Sequence, residues 1–330
     1  MRNNSKKIFA CLLIGLLVIA SLAGCGSSAS GGGGGGGGKI LFIVTDTNDT
    51  YRALLSDSVV SAASSQGVSL DMVESGSDVQ TQITLLSEAK SKGYSAIILR
   101  AADSTTAPQM NAAAGGLPIV YINNEPIADH LSADEYIYVG SDEAQSGQYQ
   151  AEYVLNKLGN PKTLNVIIFQ GEAGHSATIG RTKAVKQTLK KNGCQANYVF
   201  VDTANWSDTE AKEKFGIFMK TGQSVDAVIC NNDTMALGAI EAMKEYGLNY
   251  TKIPVCGVDA TSDACASILA GEMSFTVLQD AKNQAAAAVK AASALGSGGS
   301  ISGIDGATSD GKYLYVPFVP VDITNASQYK

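Results

Sequence analysis

From Lys39 onward, short apolar runs rich in β-branched residues alternate with longer segments whose apolar residues recur at helical spacing. The spacing predicts strands at residues 40–45, 68–73, 96–99 and 118–122, separated by helices at 51–66, 79–92 and 107–114. The rhythm then restarts with extended 136–139, helix 145–158, strand 164–169 and helix 177–191. Strands at 196–201, 227–230, 253–258 and 274–277 follow, interleaved with helices at 208–221, 234–246 and 263–269. A helix at 282–295, a Gly/Ser-rich loop at 296–311 and an extended 313–319 complete the chain. Strands without polar alternation are buried on both faces, so the pattern demands parallel sheets covered by helices. There are too many strands for one comfortable sheet, and two similar blocks fit ordinary domain sizes. The expected fold class is therefore α/β, in two lobes.

The first 38 residues belong to neither block. Arg2, Lys6 and Lys7 precede an apolar run at 8–20, which ends in Leu22-Ala23-Gly24-Cys25. A basic start, a short apolar run and small residues read as a secretory signal. The run falls short of the ~20 apolar residues of a spanning helix. Leu-Ala-Gly-Cys resembles the lipobox of bacterial lipoproteins, which implies a signal peptide of 1–24, cleavage before Cys25 and a diacylglycerol on its sulfur. Residues 25–38, with eight consecutive glycines, read as a flexible tether. The expected location is extracytoplasmic, lipid-anchored to the cell membrane.

The formal charge of the whole chain is −7, and the leader carries three cations and no acid, so the body is more acidic still. That argues against nucleic acid or anionic lipid as a charge-driven partner. Cys194, Cys230, Cys256 and Cys265 remain after the leader and Cys25, with no CxxC and no His at metal spacing. No metal or cofactor is expected. Cys230 and Cys256 lie in apolar strands and read as core residues; no disulfide pair is singled out.

In both blocks the unexpected polar residues fall just after strands, the edge where open parallel sheets bind small ligands. Asp49 and Tyr51 follow the first strand, Asn123 and Asn124 the fourth. His175 and Arg181 follow residue 169, in Gly171-Glu-Ala-Gly-His-Ser-Ala-Thr-Ile-Gly-Arg181. Trp206, Asn231, Asn232 and Asp233, Asp259, and Gln279 with Asp280 complete the set. Carboxylates and amides around two aromatics suit a sugar: hydroxyls need charged or bidentate partners, and C–H faces need flat rings.

Five stretches carry a resemblance over nearly the whole mature chain. They are Gly171–His175 with Arg181, Asp202-Thr-Ala-Asn-Trp206, Asn231-Asn-Asp-Thr-Met-Ala-Leu-Gly-Ala239, Pro254-Val-Cys-Gly-Val-Asp259 and Thr276-Val-Leu-Gln-Asp280. In order and at matching intervals they resemble the glucose/galactose-binding proteins among the ribose-type, or type I, periplasmic binding proteins. The resemblance implies two Rossmann-like lobes, parallel sheets flanked by helices and joined by three crossovers. It places residues 39–122 and 280–314 in the N-terminal lobe and 123–279 and 315–330 in the C-terminal lobe. Hinges are expected near Asn123–Asn124, Gln279–Asp280 and Leu314–Pro317. It also implies a monomer that closes on one hexose or small glycoside and hands it to an ABC permease and its ATPase. By the same resemblance Asp49 takes hydroxyls at the fourth and sixth carbons, and Tyr51 and Trp206 sandwich the ring. Asn123, His175, Arg181, Asn232, Asp259 and Gln279 hold the rest.

Three departures from that family pattern stand out. Ala177 replaces an Asp that faces the anomeric hydroxyl, and since it precedes Arg181 by one helical turn, a partner of the guanidinium is missing too. Gln279 replaces an Asn. Residues 160–163 form a short turn where enteric members carry a calcium loop. The expectation is a pocket relaxed at the anomeric end, open to a glycoside or to an acidic sugar for Arg181. Plainer roles stand beside the binding ones: Asn232 or Asp233 as a cap of the next helix, Asp259 as a cap near Ser262, Trp206 as a loop anchor, Tyr51 as core and Asp49 as a turn residue. Arg100, after the third strand, either points into the cleft or pairs with Asp103, and the pair is the expectation. No nucleophile elbow or phosphate loop appears, so an enzyme is not expected. A sugar-sensing lipoprotein serving a chemoreceptor or histidine kinase is the alternative to transport.

Overall fold

A computed structural model describes residues 38–330; the expected signal peptide, Cys25 and nearly all of the expected tether lie outside them. In the first block β1 (Lys39–Val44), α1 (Thr50–Ser65), β2 (Leu70–Glu74), α2 (Val79–Ala89), β3 (Tyr94–Leu99), α3 (Ala107–Ala113), β4 (Ile119–Ile122) and β5 (Tyr136–Gly140) follow in order. Then come α4 (Glu143–Lys157), β6 (Thr163–Gln170), α5 (Ser176–Lys191), β7 (Gln195–Thr203), α6 (Asp208–Met219), β8 (Ala227–Cys230), α7 (Asp233–Glu245), β9 (Val255–Cys256), α8 (Ser262–Leu269) and β10 (Thr276–Leu278). The chain ends with α9 (Ala281–Gly296), β11 (Tyr313–Tyr315) and β12 (Val319–Val321).

Two sheets result. The first runs β11-β5-β4-β3-β1-β2 and is parallel throughout. The second runs β7-β6-β8-β9, also parallel. Single bridges carry it on to the β10 strand, which pairs antiparallel with β12. Each sheet is covered on both faces, which is why its strands are apolar without alternation. Ile40, Phe42 and Val44 pack under α1 and α9, while Leu41 and Ile43 face the opposite core with residues of α2 and α3. In the second lobe α6, α7 and α8 cover one face and α4 with α5 the other. No helix among the described residues is long and apolar enough to cross a membrane.

One boundary differs from the expectation. The β5 strand pairs in parallel with β4, Ile119 opposite Tyr136 through Ile122 opposite Val139, so the first lobe holds a strand that the sequence assigns to the second. The chain passes between sheets at Ser141, not at Asn123–Asn124, which sit at the carboxyl end of β4 inside the first lobe. The other two passages lie between β10 and α9, around Gln279–Asp280, and between β11 and β12. A hydrogen-bonded row ties these passages together. Gln284 on α9 donates to Ser141 Oγ at 3.0 Å, and Ser141 donates to the carbonyl of Val316 at 2.6 Å.

Candidate functional site

The carboxyl ends of the strands of both sheets face each other across a cleft of about 310 Å³. All nine residues singled out in the sequence line it: Asp49, Tyr51, Asn123, His175, Arg181, Trp206, Asn232, Asp259 and Gln279. Ala177 lines it too, and so do Arg52, which the sequence did not single out, and Arg100, which it expected to pair with Asp103.

Several of these side chains are fixed by a second task, the capping of a helix, so capping and lining are not alternatives. Asp49 Oδ1 accepts the N–H of Arg52 at 2.9 Å, Asn232 Oδ1 that of Met235 at 2.9 Å, and His175 Nδ1 that of Ala177 at 3.2 Å. Since His175 Nδ1 accepts, its ring proton sits on Nε2. Burial, and then the charges of Arg100, Arg181 and Arg52, hold this imidazole well below its ordinary range, so it is a neutral donor. Asp259 caps nothing; Thr261 heads α8. Asp233 is structural, accepting from Thr276 Oγ1 and from the N–H of Thr261.

The backbone carries unusual geometry at three of the nine. Asn123, Trp206 and Asp259 have φ of 66°, 65° and 122°, where side chains other than glycine are strained. The indole of Trp206 lies against Gly171, where any Cβ would overlap its six-membered ring. The His175 ring meets it edge-on, 5.3 Å between centroids. Across the cleft, Tyr51 is buried and its hydroxyl donates to Gln284 Oε1 at 2.9 Å, which links the cleft to the row at the crossovers.

Arg181 is held from three sides. Nε donates to Glu143 Oε2 at 2.6 Å, Nη1 to the carbonyl of Asn231 at 2.6 Å and Nη2 to Gln279 Oε1 at 2.8 Å. The pair with Glu143 is buried, the side chains 3% and 5% exposed. The guanidinium therefore has a counter-charge despite Ala177: Glu143 at the head of α4 supplies it. Glycines let the two helices approach closely enough, since a Cβ on Gly180 would collide with Glu143 and one on Gly147 with the carbonyl of Arg181. The case for an acidic sugar at Arg181 falls with this finding.

Arg100 also departs from expectation. Asp103 accepts from Thr105 in its own turn, and Arg100 points into the cleft. Its Nε reaches Asn123 Oδ1 at 3.3 Å, Nη1 reaches Thr45 Oγ1 at 3.1 Å, and Nη2 crosses to Glu172 of the second lobe at 3.2 Å. Arg52 reaches the other oxygen of Glu172 at 3.0 Å and Asp46 at 3.0 Å. Two further contacts close the lobes: Ser176 N–H donates to Asn124 Oδ1, and the N–H of Glu125 donates to Ser176 Oγ. Arg52 Nε and Gln279 Nε2 are buried without a partner at the cleft.

A family model described as "Periplasmic binding protein domain" matches residues 40–300. The chain belongs to this family. Among periplasmic binding proteins it is 32% identical over 280 residues to the D-galactose/methyl-galactoside binding periplasmic protein of Haemophilus influenzae, covering 80% of this chain and 82% of that one. It is 31% identical over 288 residues to a protein named for rhizopine binding in Rhizobium meliloti, 86% and 89% covered. A solved ABC transporter solute binding protein of Bacillus halodurans with bound myo-inositol is 28% identical, with a TM-score of 0.78 over 90% of this chain and 99% of that one. The two lobes and three crossovers are thus those of a type I periplasmic binding protein. It is a solute-binding protein of the sugar ABC transporter class, working outside the cytoplasm, and not an enzyme.

Three participants escaped the sequence reading, Arg52, Glu143 and Glu172, and Arg100 was given the wrong partner. Two signals pointed to them. Arg100 directly follows a strand, like the residues that were chosen, and Glu172 lies within the Gly171–Arg181 motif.

Proposed function

We propose that this protein captures one ring polyol, a hexose, its small glycoside or a cyclitol, and delivers it as a monomer to an ABC permease and its ATPase. Cys25 carries the lipid that holds it on the cell membrane, with residues 25–38 as the tether. The observation that supports this most is the convergence of Asp49 and Tyr51 from one lobe with Trp206 and Asp259 from the other on a single cleft. Tyr51 and Trp206 supply ring faces for the C–H surfaces, and the amides, His175 Nε2 and the carboxylates supply partners for the hydroxyls. Ala177 removes a polar group from the anomeric end, which favours a substituted first carbon or a ring that has no anomeric centre. Ligand contacts to both lobes favour the closed arrangement, the state a permease reads.

Isothermal titration of the mature chain with D-galactose, D-glucose, methyl galactoside and myo-inositol tests the ligand class. At least one should bind with 1:1 stoichiometry, whereas binding by none would refute it. For the anchor, Cys25→Ser should release the protein from the membrane fraction; retention there would contradict lipidation.

A further inference from the structure

The polar row that runs from Tyr51 to the crossovers has only one possible direction of donation. The carbonyl of Val316 can only accept, so the Ser141 hydroxyl gives it its single proton, at 2.6 Å. The Ser141 oxygen is then left to accept, from Gln284 Nε2 at 3.0 Å. That turns Gln284 Oε1 toward Tyr51, whose hydroxyl donates to it at 2.9 Å. Turning the Gln284 amide over would set its oxygen against the lone pairs of Ser141 and break the row. Gln284 and Ser141 are fully buried and Tyr51 is 4% exposed, so water does not stand in for the two inner bonds.

Each member of the row belongs to a different moving part. Tyr51 lies in the first turn of α1 and lines the cleft. Gln284 lies in the first turn of α9, just past the Gln279–Asp280 passage. Ser141 stands where the chain leaves β5, and Val316 where it leaves β11. Those two passages already run side by side: β5 and β11 pair up to Gly140 and Tyr315, and the Val316 N–H donates to the Gly140 carbonyl at 2.8 Å. The row therefore fastens all three crossovers to the helix that carries one aromatic wall of the cleft. Burial first, then the charges of Asp259 and Glu143, keep the Tyr51 phenol protonated. Its proton is committed to Gln284, so Tyr51 offers a ligand only its ring.

We infer that Gln284 is a positioning residue for ligand capture: through it the Tyr51 ring and the three crossovers hold or yield as one unit. Gln284, Ser141 and Val316 do not line the cleft, so they act on binding only through Tyr51 and the crossovers. A ligand that settles against the ring steadies the row, and a steadied row holds the crossovers in the arrangement in which the lobes meet. The stacking of a ligand on Tyr51 rests on the ring-polyol reading; the fastening of the crossovers to Tyr51 does not.

The test is amide hydrogen exchange of the mature chain without ligand, comparing wild type with Tyr51→Phe, Ser141→Ala and the double variant. Tyr51→Phe keeps the ring and removes only the first link, and Ser141→Ala removes the other two. Tyr51→Phe should speed exchange at residues 140–144 and 314–317, and Ser141→Ala should speed it at 53–57 of α1, each by about fivefold, the worth of one hydrogen bond. The double variant should go little further than either single one, because the links form one row. Gln284→Met, similar in length but without the amide, should reproduce both patterns. Exchange that rises only beside each substitution, or evenly over the whole chain, or in additive steps, would overturn the inference. D-galactose, D-glucose, methyl galactoside and myo-inositol then probe the ligand side. Whichever binds should dissociate about fivefold faster from Ser141→Ala, and an unchanged rate would overturn the link to capture. If none binds, the ring-polyol reading falls, and the exchange result still decides whether Tyr51 and the crossovers act as one.

Discussion

On the second-lobe wall, Arg181 commits its bonded nitrogens to Glu143, Asn231 and Gln279, whereas on the first-lobe wall Arg52 and Arg100 both reach across the cleft to Glu172. The first arrangement is assembled within the second lobe, from α4, α5 and the loops beside them. The second is complete only when they meet. Trp206, seated on Gly171 and edged by His175, belongs to the second-lobe wall. The comparison teaches that the Arg181 cluster is built within one lobe, whereas Glu172 ties the two lobes together. Variants of the two arrangements should therefore fail in different ways: stability at the Arg181 cluster, closure at the Glu172 bridges.

The largest effect should come from Glu143→Gln. It removes the counter-charge of a buried guanidinium and should cost about 3–5 kcal/mol of unfolding free energy, read by chemical denaturation. A loss comparable to that of a surface pair would break the comparison at its strong end.

Next comes Gly171→Ala. The new methyl displaces the indole, an overpacking cost of roughly 1–3 kcal/mol, with shifted Trp206 emission and weakened ligand binding together. Unchanged emission would show that the ring does not rest there.

Glu172→Gln should leave stability nearly untouched, because its side chain is 36% exposed. It should reduce ligand affinity by about fivefold, on the order of 1 kcal/mol for a part-exposed pair. Raising ionic strength should narrow the gap between wild type and variant. A variant as tight as wild type would refute the role of these bridges in closure.

A pH-dependent effect concerns Glu125, whose N–H meets Ser176 where the lobes join. Burial first, then Glu143 and Asp142, push its carboxyl up to about 7 from 4.5. The folded protein then holds a proton that the unfolded chain has released, so this contribution is full below pH 4.5 and is lost as pH rises through about 7. His175, lowered by burial, works in the opposite sense: its contribution is full above pH 6.5 and is lost as pH falls toward its folded value. Comparing wild type with Glu125→Gln from pH 5 to pH 8 isolates the first. The wild type should lose stability relative to the variant as pH rises, and parallel curves would contradict the assignment.

The region of the cleft was legible because parallel sheets place ligands at strand ends, which can be read from where apolar runs stop; the resemblance to the glucose/galactose-binding proteins then narrowed the strand-end residues to the nine. Ion pairs were not legible. Glu143 and Arg181 lie 38 residues apart and meet only through helix packing. Arg100 has Asp103 close by in sequence, which favours the wrong local pairing. Glu172 reads as a loop acid until the facing lobe brings two guanidiniums to it. The boundary at Ile122 failed for a similar reason: a parallel strand carries no local sign of its partner, and a loop of more than ten residues separates β4 from β5.

Trp206 is the only tryptophan in the chain, so its fluorescence during a titration with the ligand found by calorimetry reports the cleft alone. The decisive form of that titration compares wild type with Asp49→Ala and Asp259→Ala, one variant per lobe. A saturable 1:1 change in wild type that weakens sharply in both variants is the predicted result. A response that survives intact in either one would mean that the ligand is held by a single lobe, and the account of a site shared between two would be wrong.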